Sequence, residues 1–263
     1  MRFSKWHGLG NDYLLVERSD AGFSLPPGLV QRLCDRHLGV GADGLLEIVS
    51  VDGARAGLVI WNPDGSTAEL SGNGTRIAAR WLARESGADE VRIVVGSREV
   101  VGRMRGPSVV EVELGSVAVS PPEALDIAGE AVEVVPVTVG NPHAVLRREP
   151  ARAELLRLGP QIETHPRFPE RTNVQLVRVD GLHEVTARVW ERGVGETSSS
   201  GTSACAVAAA AIANGWSESP VTVHLPAGDL VVGIDARWHA TLSGPVQEIC
   251  RGEIGENLLA EVL

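Results

Sequence analysis

Cysteine is scarce in this chain: Cys34, Cys205 and Cys250 are the three in 263 residues, and no two form a CxxC pair. That spacing excludes a disulfide framework and the usual zinc cluster, and it fits a reducing compartment. All three are expected to be small buried residues, because free cysteine is among the most buried types. Basic charge is short as well, with 24 Lys and Arg against 34 Asp and Glu and a formal net charge of -10. No dense basic stripe exists to neutralise phosphates, so general nucleic-acid binding is not expected. Long apolar runs are missing: the weakly polar stretch from Ala204 to Ala213 falls well short of the roughly 20 residues that cross a bilayer. The opening MRFSKWHGLG has no basic region followed by an apolar run and a cleavage site, so export is not expected and a cytoplasmic location is. No GxGxxG follows a strand with an acidic residue downstream, which argues against a nucleotide cofactor. Neither a cofactor nor a metal is expected.

What the chain does contain is a repeat. Asn11 in LGNDYLLVE answers to Asn141 in VGNPHAVLR, and Gly53 in SVDG to Gly181 in RVDG. Trp61, Asn62 and Ser71 answer in the same order to Trp190, Glu191 and Ser200 at nearly constant separation. Single matches of this kind are weak, but an ordered series points to duplication. A length of 263 residues is enough for two cores. The division is expected near residue 115, giving halves 1–115 and 116–263 with the last residues packing back on the first half. The polar, Pro-bearing PPEALDIAGE at 121–130 is read as lying near that boundary.

Alternation in VRIVVGSREVVGRM, SVVEVELG and VEVVPVTVG, and again in NVQLVRVDG, HEVTARVW and VTVHLPAGDLVVGI, predicts strands on both sides of the division. Three helices are predicted between them. PPGLVQRLCDRHLG places Pro27 in the first turn and Gly39 at the end, with Leu29, Leu33 and Leu38 as its stripe. NGTRIAARWLARESG sets Ile77, Trp81 and Leu82 against a face of Arg76, Arg80 and Arg84, which predicts partial burial. TSACAVAAAAIANG carries no charge through its body, ends at Asn214 and Gly215, and is expected to run through a core. The class is α+β rather than a Rossmann unit.

Both of the later helices follow a Ser-Gly step, Ser71-Gly72 and Ser200-Gly201. Locally these serines read as N-caps that satisfy orphan amides. As a pair in a repeat they also read as amide nests suited to a substrate carboxylate. Asn11, Asn62, Asn141 and Asn173 sit in turn contexts, where they either shape the turn or orient a zwitterion. Glu191 and Arg192, side by side, offer a carboxylate for an ammonium and a guanidinium for a carboxylate, or a surface ion pair.

The motifs HGLGNDY at 7–13, RHLGVGADG at 36–44, NPDGSTAELSGNGTR at 62–76, GNPHAV at 140–145, RTNVQ at 171–175 and ERGVGET at 191–197 together resemble diaminopimelate epimerase. The resemblance implies a cofactor-independent amino-acid epimerase with two pseudo-symmetric domains, each a curved mixed sheet wrapped around a central helix, and with the active site between them. It implies a homodimer, a small amino acid as substrate, and lysine biosynthesis as the setting. It assigns substrate binding to Asn11, Asn62, Asn73, Asn141, Asn173, Glu191 and Arg192, with Gly72, Asn73, Gly201 and Thr202 in the amide-bearing turns. His143 matches the family histidine after GNP and reads either as an orienter of Glu191 or as a turn histidine.

Two departures stand at the reacting positions. Ser71 and Ser200 occupy the places of the family's two catalytic cysteines, and Ser203 replaces a glycine. Inverting an α-carbon without a cofactor needs one group to take a proton from one face and another to deliver one to the opposite face. A thiol ionises near 8.5, but an alkyl hydroxyl lies about 6 or 7 units higher, roughly 9 kcal/mol further from its basic form. A helix terminus worth up to about 2 kcal/mol does not close that gap. Serine alone is therefore expected to abolish or cripple proton abstraction. Three functions follow: interconversion of L,L- and meso-diaminopimelate by two-base transfer, isomerisation or racemisation of another polar amino acid, or non-catalytic amino-acid binding.

Overall fold

The computed structural model describes residues 1–69 and 71–262. It divides into two compact units, Met1–Val112 completed by Gly244–Leu263, and Glu113–Ser243.

The first unit begins with β1 (Arg2–Gly8) and β2 (Asn11–Glu17), an antiparallel pair. The chain then forms α1 (Arg18–Ala21) and α2 (Pro27–Cys34) and returns as β3 (Leu45–Asp52), parallel to β2. β4 (Arg55–Trp61) lies antiparallel on β3, and the short β5 (Thr67–Ala68) folds back on β4. α3 (Gly72–Ser86) crosses over to β6 (Glu90–Val95), parallel to β4, and β7 (Arg98–Met104) and β8 (Val109–Ser116) extend the sheet antiparallel.

The second unit repeats that path. β9 (Ala118–Val119) and β10 (Glu123–Ile127) flank β11 (Glu130–Thr138), followed by β12 (Pro142–Arg147), α4 (Arg152–Glu163) and β13 (Asn173–Gly181), with β12 and β13 parallel. β14 (Glu184–Glu191) carries β15 (Gly195–Thr197), and α5 (Gly201–Ala213) crosses to β16 (Val221–Leu225), parallel to β14. β17 (Gly228–Ile234) and β18 (His239–Pro245) close the series. The chain then completes the first unit with β19 (Gln247–Glu253), which pairs with β1, and α6 (Glu256–Val262). Each unit is thus a mixed sheet with two parallel crossovers, and the fold is α+β.

Each second crossover helix is central to its own unit. α3 touches β1, β2, β3, β4, β6 and β7, and α5 touches β11 through β14, β16 and β17, so each sheet curves around its helix. Ala206 to Ala211 are fully buried in α5, because a stripe of small side chains lets strands approach on every side. α3 is partly buried, as predicted, but one of its arginines departs from the expected solvent face. Arg76 is fully buried, donating to the Gly72 carbonyl at 3.1 Å and to Asn73 Oδ1 at 2.5 Å. Arg84 lies 4.9 Å over the Trp6 ring. Of the arginine face, Arg76 is built into the unit, Arg80 is half-buried and Arg84 stays exposed near the helix end.

Two further expectations are corrected. α2 stops at Cys34 instead of running to Gly39, because Asp35 turns extended and its Oδ1 accepts the amides of His37 and Leu38 at 2.8 and 2.7 Å. That local turn competes with the helix, and it leaves Leu38 exposed. PPEALDIAGE, which follows the division between the units, forms β10 and the turn into β11, with Ala128 and Gly129 in left-handed conformations and Gly129 N donating to Asp126 Oδ1 at 2.7 Å. Cys250 is exposed, whereas Cys34 and Cys205 are buried, because β19 pairs with β1 and its residues stay largely uncovered. Among the described residues no helix is long and apolar enough to cross a membrane.

Candidate active site

In the first unit, the start of α3 gathers the polar groups of three segments. Ser71, extended at φ -137°, caps the helix by accepting Gly74 N at 3.0 Å. Its Oγ also lies 3.1 Å from the hydroxyl of Tyr13 on β2. Asn73, the second residue of the helix, donates to Asn11 Oδ1 at 3.1 Å, and Asn11 in turn donates to Asp43 Oδ2 at 3.1 Å. Arg76 holds the other end of the Asn73 amide. Ser71, Gly72, Asn73 and Asn11 are therefore brought together. Asn62 keeps its side chain within its own turn, donating to Ser66 Oγ at 2.9 Å.

Beneath Asn11 lies a support that the sequence reading did not identify. Arg36 bonds Asp12 at 2.8 Å and Asp43 at 2.6 Å, and Lys5 pairs with Asp12 at 3.0 Å. Burial pushes the Asp12 carboxyl up, but the bonds from Arg36 and Lys5 outweigh it and hold the group at about 2. The carboxylates of Asp12 and Asp43 each also accept the other residue's backbone amide, both at 3.1 Å, which fixes the loop after Gly41 against β2.

The second unit arranges its groups differently. Ser200 stands at the N-cap of α5 with φ -149°, yet its side chain makes no capping bond. It donates instead to Glu191 Oε2 at 3.2 Å. The first amides of α5, from Gly201 onward, thus lack a cap from that serine, unlike those of α3, and such amides attract an anion. Glu191 ends β14, and burial raises its carboxyl above the ordinary range against the pull of the Thr197 and Ser200 hydroxyls beside it. Arg192 does not pair with Glu191 among the described ion pairs. Its guanidinium reaches the Glu170 carbonyl at 3.0 Å, and its amide donates to Asn173 Oδ1 at 3.0 Å. Asn173 also donates to the Pro142 carbonyl at 2.9 Å, which ties β13 to the start of β12.

His143 is 1% exposed, and its two ring nitrogens go to Asn141 Oδ1 at 2.9 Å and to Gln175 Nε2 at 3.0 Å. Of the two readings of His143, orienter of Glu191 or satisfied turn histidine, these bonds accord with the second. Because Gln175 Nε2 only donates, Nδ1 is the acceptor and Nε2 carries the proton toward Asn141. Gln175 gives its second hydrogen to Ser203 Oγ at 3.0 Å. Burial, with the nearby Arg192 charge, lowers the imidazole to about 3, so the ring is neutral and works as a hydrogen-bonding strut. Gln175 was missed by the sequence reading, although a polar residue two places after Asn173 within the apolar NVQLV marks the face of β13 turned toward α5.

The chemistry is that of two hydroxyls, each at the start of a central helix, one beside a phenol and one beside a carboxylate. Among the described residues no group of three or more His, Cys, Asp or Glu is placed to hold a metal ion. The family model for diaminopimelate epimerase matches residues 3–119 and 135–249. A diaminopimelate epimerase of Pelotomaculum thermopropionicum is 39% identical over 96% of this chain and 98% of its own, and one of Moorella thermoacetica is 37% identical over 96% and 99%. A phenazine biosynthesis protein of the PhzF family from Bacillus anthracis, 14% identical, shares the fold at a TM-score of 0.75 over 97% of this chain and 99% of that one.

Proposed function

Because the chain belongs to the diaminopimelate epimerase family, we infer that it interconverts L,L- and meso-diaminopimelate without a cofactor, by two-base proton transfer. The observation that carries this reading is the match at 39% identity over nearly the whole chain, and the recognition residues assigned by the sequence motifs fit it. Asn11, Asn62, Asn73, Asn141 and Asn173 supply amides for a zwitterion, and Arg192 supplies a guanidinium for a carboxylate. The amides of Gly72, Asn73, Gly201 and Thr202 receive the carboxylate of the reacting centre, whose negative charge grows as the α-proton leaves.

Ser71 and Ser200 are the hydroxyls at the reacting carbon, one from each repeat. An isolated serine is a poor base, but Ser200 is not isolated, since its hydroxyl already donates to Glu191. In this reading the substrate α-proton passes to Ser200 Oγ as the Ser200 proton passes to Glu191. A carboxyl raised by burial is a stronger base than an ordinary one and suits that task. His143, neutral and bonded to Asn141, positions the amide rather than exchanging protons. A homodimer in the cytoplasm completes the reading.

The test is conversion and binding measured together. Chiral separation after incubation with L,L-diaminopimelate is expected to show slow formation of the meso form, with saturable binding by calorimetry. The Ser71→Cys, Ser200→Cys double substitution is expected to turn over at least about 100-fold faster, in the range of a restored acid/base pair. Binding and conversion of a different polar amino acid, with diaminopimelate inert, would move the assignment to another isomerase. Binding without conversion, even with both cysteines installed and the fold intact, would make the chain a binding module.

A further inference from the structure

We propose that Tyr13 is the proton reservoir behind Ser71: the serine hydroxyl exchanges a proton with the substrate carbon, and the phenol oxygen refills or empties it. The proposal rests on the reading of Ser71 as a reacting hydroxyl, and it adds a residue to which neither the family motifs nor the recognition set gives a role.

Three observations carry it. The Tyr13 hydroxyl lies 3.1 Å from Ser71 Oγ, and Ser71 also accepts Gly74 N at 3.0 Å. With the phenol donating as well, both acceptor positions of the serine oxygen are filled and its own hydrogen is left to point elsewhere. The ring is held in place by the backbone. A Cβ at Gly44 would come within 2.6 Å of Tyr13 Cε1 and 2.7 Å of the Trp61 carbonyl, so only glycine at position 44 leaves room for the ring where it is. Tyr13 is 8% exposed, which keeps the phenol from exchanging its partner for bulk water. Finally, the other repeat has the same logic in different chemistry, since Ser200 is bonded to Glu191. Each serine therefore adjoins a side chain that ionises far more readily than an alkyl hydroxyl.

The step balances with these groups alone. As the α-carbanion is protonated, the Ser71 O–H bond breaks toward carbon and the Tyr13 O–H bond breaks toward Ser71 Oγ, leaving a phenolate and an intact serine. In the opposite direction the phenolate takes the serine proton while the serine takes the α-proton. A phenol ordinarily ionises near 10, about five units below an alkyl hydroxyl, so the charge rests on an oxygen that bears it far better than serine does. At neutral pH the ordinary states of the two partners, a phenol behind Ser71 and a carboxylate behind Ser200, match the acid and base that one direction of the reaction requires.

Tyr13 is the single tyrosine of the chain, which makes the test clean. The experiment compares Tyr13→Phe in two backgrounds, the unmodified chain and Ser71→Cys, using diaminopimelate conversion. In the unmodified chain the substitution is expected to lower kcat about 100-fold with KM changed less than about threefold, and to remove the alkaline limb from the pH profile. With Ser71→Cys, whose thiol is its own acid, the same substitution is expected to cost less than about fivefold. In parallel, the one tyrosine ring-carbon NMR signal of a labelled sample is expected to shift its titration midpoint by more than about half a unit in Ser71→Ala. Equal losses in both backgrounds, with an unmoved NMR titration, would reduce Tyr13 to a packing residue and overturn the proposal. An inert unmodified chain alongside an active Ser71→Cys, Ser200→Cys variant would overturn the relay and leave the substrate assignment standing. Failure of both chains to bind diaminopimelate would overturn the assignment and the relay together.

Discussion

Acid should weaken the second unit through His143, by an amount that follows from its burial. The ring is enclosed, bonded on both nitrogens, and neutral, with its ionisation lowered from 6.5 to about 3. In the unfolded chain the same ring ionises normally. The sign is therefore fixed: the contribution is fully present above pH 6.5 and is lost as pH falls toward 3, because the unfolded state takes up a proton that the folded state refuses. Between pH 7 and pH 5 the loss amounts to about 2 kcal/mol, and down to pH 3 it reaches about 4 kcal/mol, at about 1.4 kcal/mol per unit. Either figure is a large share of an ordinary folding stability of about 5–15 kcal/mol. The assay is urea unfolding at several pH values, comparing the unmodified chain with His143→Gln. Glutamine preserves a donor for Asn141 and an acceptor for Gln175 but cannot titrate. Subtracting the two pH dependences cancels the other titrating groups. A difference of about 2 kcal/mol developing between pH 7 and 5 is expected, and parallel curves would refute the claim that His143 is held neutral.

Two further outcomes follow from the packing. In Gly159→Ala the new Cβ would sit 2.8 Å from the Trp190 ring, so a loss of about 1–3 kcal/mol is expected, together with a red-shifted tryptophan emission as the 2.7 Å bond from Trp190 Nε1 to Glu163 loosens. Gly181→Ala, where nothing lies within 4 Å, should change urea stability by less than about 0.5 kcal/mol, and equal effects at the two glycines would contradict the packing. With an aromatic disulfide reagent, one thiol per chain, Cys250, should react in the native state. Cys205 is buried, and burial with the neighbouring Asp12 and Asp43 charges pushes the Cys34 thiol up to about 11, so a native count of two or three would be inconsistent with this burial.

The repeat was legible because it is written in residues with few substitutes: Asn, Trp and Ser-Gly steps recur in order, and both crossover helices follow those steps. α5 was legible as a core helix because nothing in its body is charged. The buried place of Arg76 in α3 was not, since periodicity counts arginine as a solvent-facing residue, whereas Arg76 spends its donors on Asn73 and the Gly72 carbonyl. The early end of α2 was hidden because Asp35 acts through two local amide bonds that an apolar stripe does not register. At the candidate site the chemistry-bearing motifs were readable, but their partners were not. Tyr13 reads as an ordinary strand aromatic until Gly44 and Ser71 are seen beside it, and Gln175 acquires meaning only once His143 and Ser203 close on its amide.

The central claim is that inversion proceeds through two separate acid/base groups, both of them hydroxyl-bearing in this chain. It is tested most directly by incubating the unmodified protein with L,L-diaminopimelate in deuterium oxide and stopping at a few per cent conversion. Mass spectrometry of the chirally separated pools then reads the label. The account predicts one deuterium at the α-carbon of the meso product, while the remaining L,L substrate stays protiated. Product that keeps its original hydrogen would indicate a single base working on both faces. Bound substrate that neither inverts nor takes up deuterium would contradict proton transfer by Ser71 and Ser200 altogether.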